Sequence, residues 1–290
     1  MRAMRAMVAG VILALIAVGC AWRIPIDIID VSENFDQDIV DWSADGRYLL
    51  VQSSFHDETS GSTFVTAVRD RVTGETVSDI GLTSSGGSIS GDGRFVAYTN
   101  APDVDPGDSV EFRDVFLLDR LRDTTTILTV SPLGDSSNGG SSAPQISDDG
   151  STVVFNSSAT NLVVNDADPE VDVYRWDAAT GDLSLLSTRP DGPSANGTSI
   201  EPYVSSDGSV VVFSSSGTDL VEDDTNDTYD VFVSNDGSIS RWSMTSEGAE
   251  NDTWSRANGI SGDGSTVFCI PRPSSRISWI TASAAFSSSR

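Results

Sequence analysis

A four-residue turn, Ser-x-Asp-Gly, recurs at residues 43–46, 90–93, 147–150, 205–208 and 261–264. Taking the Asp as marker, positions 45, 92, 149, 207 and 263 lie 47, 57, 58 and 56 residues apart. The parts around each turn keep one order, fullest from Tyr203 to Thr245. Tyr203-Val204-Ser205 leads into the turn and Val210-Val211-Val212-Phe213 leaves it. A polar loop with Asp224, Asn226 and Asp230 follows, then Val231-Phe232-Val233, a second turn at Asn235-Asp236-Gly237, and Ile239-Ser240-Arg241-Trp242. That makes four short β-type runs, with glycine supplying the positive φ that tight hairpins require. A four-strand unit repeated at a period of roughly 40 to 60 residues is the mark of a β-propeller, one blade per repeat. The predicted fold class is therefore all-β, a propeller of four complete repeats and a truncated fifth.

The phase of the repeat sets the blade limits. Blade one spans about Asp38 to Asp79, with strands near Ile39–Trp42, Tyr48–Gln52, Phe64–Arg69 and Thr76–Asp79. Blade two runs from about Gly87 to Val130, blade three from Pro144 to Thr188, and blade four from Pro202 to Thr245. The linkers repeat as well: Gly134, Asn138, Pro144 and Ser147 match Gly192, Asn196, Pro202 and Ser205 at equal offsets. The propeller region is thus expected over residues 36–268. A fifth blade opens with Ala257–Ser261 and Ser265–Phe268, and the pattern then fades into a Ser/Arg/Pro-rich tail, 269–290. A frameshift or a truncated gene within the fifth repeat is the expectation there, and a plain C-terminal tail is the alternative.

Ahead of the repeats, residues 1–20 read as an export leader. Arg2 and Arg5 form a positive start, and Val8–Val18 is an apolar run too short for a comfortable membrane span. Its end, Ala17-Val18-Gly19-Cys20, resembles a bacterial lipobox with Ala17 where the motif prefers Leu. Cys20 is accordingly the expected lipidation site, a plain secretory signal is the alternative, and either places the mature chain outside the cytoplasm. Residues 21–35 read as a lone strand that would close the ring by completing the last blade.

Charge and rare residues exclude several function classes. The formal net charge is −26, and all 17 basic residues are Arg. A surface so acidic repels phosphate backbones, so nucleic-acid binding is not expected. The single histidine, His56, expected in a loop, removes most Ser-His and Cys-His catalytic plans and any multi-histidine metal site. Two cysteines, Cys20 and Cys269, leave no disulfide framework once a leader is processed.

The sharpest local feature is an acidic triplet between the second and third strands of a repeat. Asp166, Asp168 and Asp172 share the spacing of Asp224, Asn226 and Asp230; Asp108 and Asp114 keep the outer pair, with Val110 between. Two readings are open. Hard cations such as Ca2+ need several oxygen ligands on a tight loop, although the bidentate Glu of a full Ca2+ hand is missing here. Alternatively, Asp and Asn order such loops by bonding nearby backbone amides, and Asp114, Asp172 and Asp230 each directly precede a strand. Trp176 and Trp242, in strand positions, are expected to pack between blades.

With these parts in view, the repeats resemble the bacterial TolB-like (WD-repeat-like) propeller family. The resemblance rests on Ser-x-Asp-Gly, a Val-Val-Phe-Ser-Ser-type strand, Asn161-Leu162-Val163 or Asp219-Leu220-Val221, and Asp-Val-Phe; it covers roughly residues 36–268. It implies a six- or seven-bladed binding platform, usually outside the cytoplasm. The functional expectation is a non-enzymatic, lipid-anchored scaffold for a protein or glycan partner, touching the membrane through its anchor alone. It needs no cofactor beyond possible Ca2+ and has no catalytic residues. The alternatives are a carbohydrate-active lyase or hydrolase with carboxylates in the propeller funnel, and a truncated gene fragment without function.

Overall fold

The computed structural model describes residues 37–57, 61–83, 86–99, 112–166, 168–235, 237–245 and 253–271. The leader with Cys20, the strand expected over 21–35, Asp108 and the tail from residue 272 lie outside them.

Among the described residues, eighteen strands make four four-stranded antiparallel sheets and one two-stranded sheet. Blade one is β1 (Gln37–Trp42), β2 (Tyr48–Asp57), β3 (Gly61–Asp70) and β4 (Thr76–Thr83). Blade two is β5 (Ser88–Ile89), β6 (Phe95–Thr99), β7 (Val115–Asp119) and β8 (Thr124–Ile127). Blade three is β9 (Ser141–Ile146), β10 (Thr152–Ser157), β11 (Asp172–Asp177) and β12 (Leu183–Leu185). Blade four is β13 (Ser199–Val204), β14 (Val210–Ser215), β15 (Asp230–Asn235) and β16 (Ser238–Arg241). The fifth sheet pairs β17 (Ser255–Ile260) with β18 (Val267–Pro271). In each full blade the strands pair in chain order.

The sequence-based strands are found in order. In blade one, however, β2 and β4 run on to Asp57 and Thr83, past the expected ends at Gln52 and Asp79, and β3 starts at Gly61 rather than Phe64. β9 and β13 begin three residues before Pro144 and Pro202, because each strand passes its proline through a bulge in which Ala143 and Glu201 take φ of 53° and 55°. His56 lies in β2, paired with Ser62, rather than in a loop. β18 continues through Cys269, which is buried opposite Ala257, so the strand outlasts the repeat-like sequence.

The Ser-x-Asp-Gly turn explains its own composition. In all five copies the Ser hydroxyl donates to the Asp carboxylate two residues on, at 2.6–2.7 Å. The same oxygen accepts the amide five residues on, at 2.9–3.0 Å. The glycines sit at φ of 66° to 73°, which L-residues adopt at a penalty.

These turns also stitch neighbouring blades together. Ala44 N–H donates to Gly91 O, Gly91 N–H to Asp148 O, Asp149 N–H to Ser206 O and Ser206 N–H to Gly262 O, at 2.8–3.1 Å. One hydrogen-bonded line therefore joins all five repeats. The approach is close: a Cβ on Gly91 would stand 2.9 Å from Asp148 Cβ.

The core sits between blades. Leu50 and Val68 meet Ile89 and Val96; Ala97, Val115 and Leu117 meet Val153, Phe155 and Tyr174; Val173 and Ala195 meet Phe213 and Phe232; Val212 and Val231 meet Ala257 and Val267. Trp176, in β11, and Trp242, one residue past β16, pack against two of these clusters, as expected from the sequence. Burial between neighbours is what a radial repeat requires, since one blade alone has no second layer.

Candidate functional site

The loop between β10 and β11 gathers Asp166, Asp168 and Asp172. Ala159 and Leu162, both buried, pin the loop to the core below. From β11, Tyr174 points its hydroxyl back under the loop, where it donates to Asp166 Oδ2 and lies 3.1 Å from the Ala159 carbonyl. Asp168 accepts the Glu170 amide at 3.0 Å and the Ser194 hydroxyl at 2.8 Å. Asp172, fully buried, accepts the Ser187 hydroxyl on Oδ1, and that hydroxyl in turn accepts the Val173 amide at 3.0 Å.

Three carboxylates converge here: each offers one oxygen, and the three lie within 4.8 Å of one another. Asp166 Oδ1 and Asp172 Oδ2 are buried and accept no hydrogen bond of normal geometry from the described residues. Burial pushes Asp172 up to about 7; the Ser187 hydroxyl opposes this, and the charges of Asp166, Asp168 and Glu170 add to it. Asp166 is raised too, chiefly by burial, against the favourable pull of the Tyr174 hydroxyl and the Asp168 amide. Burying like charges this way is costly unless a positive charge or a proton joins them.

The matching loop between β14 and β15 is arranged differently. Asn226 stands where blade three has Asp168, and its Nδ2 donates to Asp230 Oδ2 at 2.8 Å. Asp224 pairs with Arg241 at 3.4 Å, and both side chains are almost wholly enclosed. Arg241 lies opposite Phe232, and the residue opposite Tyr174 in blade three is Leu185. The arginine also donates to the Asp223 carbonyl at 2.7 Å. Asp230 keeps the clamp of blade three, accepting from Ser243, which accepts the Val231 amide.

Of the sequence-predicted residues, Asp114 keeps the same clamp in blade two: its Oδ1 accepts from Thr129 and Ser137, and the Thr129 hydroxyl accepts the Val115 amide at 3.2 Å. The middle residue of each triplet makes a short turn of the expected kind: Asp168 and Asn226 accept the amides of Glu170 and Thr228. Asp114, Asp172 and Asp230 reach a Ser or Thr hydroxyl 13–15 residues away. Sequence reasoning missed Tyr174, Ser187 and Arg241. The one available signal was the arginine, which stands where blade two has Ile127 and blade three has Leu185.

Strand order, the repeated turn and the cores between blades define the class: this chain is a β-propeller. No family model matches it, and no curated protein matches it. Solved structures do. The β-propeller domain of the Trilobed protease from Pyrococcus furiosus aligns at TM-score 0.52 and 10% identity, over 84% of this chain and 66% of that one. Pyrococcus horikoshii acylaminoacyl peptidase aligns at TM-score 0.50 and 10% identity, over 84% and 37%. TolB from Acinetobacter baumannii aligns at TM-score 0.49 and 16% identity, over 80% and 48%. This chain spans less than two thirds of the length of each. At such identities the likeness establishes the fold alone.

Proposed function

We propose that this chain is a non-enzymatic propeller that works outside the cytoplasm as a scaffold for a protein or glycan, tethered by a lipid on Cys20. The observation that carries the reading is the use made of its acids. Asp45, Asp149 and Asp207 are held below the usual carboxylate range by their own turns. Asp41, raised by burial, ties blade one to blade two through the Ser88 hydroxyl and the Ile89 amide, both at 2.9 Å. Asp114, Asp172 and Asp230 clamp strand ends. These carboxylates serve the repeat.

The carbohydrate-enzyme alternative needs one protonated acid and one ionised partner facing a sugar. The pair that comes nearest to this, Asp166 and Asp172, is shifted in one direction and enclosed. The test exports the full chain in a bacterial host, beside Cys20→Ser, and incubates each with polysaccharides and envelope proteins. The wild type is expected in the membrane fraction and the variant in the soluble one, with saturable retention of a partner and no new sugar ends. Release of reducing or unsaturated sugar ends would make the chain an enzyme, and wild-type protein free of the membrane would remove the anchor.

A further inference from the structure

The two acidic loops share a backbone plan and differ in how their charge is balanced. In blade four, Asn226 supplies a donor to Asp230 Oδ2, and Arg241 brings a guanidinium to Asp224. In blade three both devices are replaced: Asp168 is a third carboxylate where Asn226 is an amide, and Leu185 is apolar where Arg241 is charged. Among the described residues, no donor reaches Asp172 Oδ2, in the fully buried member of the cluster, or Asp166 Oδ1 with normal hydrogen-bond geometry. No cationic side chain among the described residues pairs with any of the three acids.

We propose that the loop between β10 and β11 is a specific site for one hard divalent cation, Ca2+, held by Asp166, Asp168 and Asp172, and that its counterpart between β14 and β15 has exchanged the cation for Arg241. A convergent set of carboxylate oxygens on an irregular loop suits Ca2+, which accepts uneven geometry and completes its shell with carbonyls and water. Mg2+ demands a near-ideal octahedron and fits less well. The ligands come from two places, Asp166 and Asp168 from the loop and Asp172 from the first residue of β11. The cation therefore pins the loop to the blade, as the Arg241–Asp224 pair does next door. Tyr174 and Ser187 are positioning residues, each holding one oxygen of a ligand so that the other faces the cluster. The site does not depend on which partner the scaffold binds.

The experiment titrates the full chain with Ca2+ by calorimetry and with Tb3+ by sensitised luminescence, Tyr174 lying against a ligand. The expected result is one saturable site per chain that Ca2+ takes back from Tb3+. Asp168→Asn installs the blade-four amide and removes one ligand charge, so the chain should keep its cooperative melt while affinity falls at least about 10-fold. The double variant Asn226→Asp with Arg241→Leu copies blade three, and should raise the stoichiometry from one to two. Unchanged binding in Asp168→Asn would mean that Ca2+ only decorates the acidic surface, and would overturn the site. Two sites in the wild type would overturn the exchange for Arg241, and no saturable site would overturn both.

Discussion

Ser205 shows how much a single hydroxyl does in this fold. It is fully buried, donates to Asp207 at 2.7 Å and accepts the Val210 amide at 3.0 Å. Removing it leaves the Val210 amide buried without an acceptor, a penalty of about 1–3 kcal/mol. Ser205→Ala is therefore expected to lower the melting temperature by about 2–4 °C for each kcal/mol lost. Ser209→Ala is the control. It touches the same carboxylate from the exposed side, and should change stability by less than about 0.5 kcal/mol. Equal losses in thermal melts of the two variants would show that the turn is not held from within. The motif at this scale was readable in the sequence, because all its bonds fall within five residues.

At the scale of the strand pair, each of three blades sets two aromatics side by side across its middle strands. Tyr98 stacks on Phe116 at 5.5 Å, Phe155 on Tyr174 at 5.7 Å and Phe213 on Phe232 at 5.9 Å. The registers place each pair directly opposite, where side chains approach most closely. Phe213 is fully enclosed among Val173, Ala195, Leu220 and Phe232, so it belongs to the core between blades three and four. Phe213→Ala is expected to cost about 3–5 kcal/mol in a denaturant titration. A loss below about 1 kcal/mol would mean that the core closes over the gap and is less tightly packed than the enclosed rings imply. The pairing was legible as alternating apolar runs. The bulges that carry β9 and β13 past Pro144 and Pro202 were not, because proline in a run reads as an end and only the paired partner shows the strand continuing.

For the whole molecule, charge is the governing quantity. A formal charge of −26 makes the compact state repel itself. Raising NaCl from about 0.01 M to about 0.15 M shortens the screening length from about 30 Å to about 8 Å. The melting temperature is expected to climb over that range, with Ca2+ excluded by a chelator. A flat or falling curve would show that ion pairs such as Arg94–Asp119, at 2.6 Å, outweigh the repulsion. That pair, with its backbone bonds, holds Asp119 down at about 2, so its attraction persists through the neutral range while distant repulsion fades with salt.

The all-β class, the blade period, the turns and most strand limits were settled by the sequence alone, because each rests on contacts between near neighbours that repeat in register along the chain. The acidic loops were also visible there, but as equals. Their difference is tertiary. Ser187 reaches Asp172 from 15 residues away, and Arg241 reaches Asp224 from 17. The line of amides through Ala44, Gly91, Asp148, Asp149, Ser206 and Gly262 forms only when the blades stand side by side. Which carboxylate is neutralised, and which buried oxygen is left without a donor, follows from what packing brings within 3 or 4 Å, and spacing along the chain does not carry that distance.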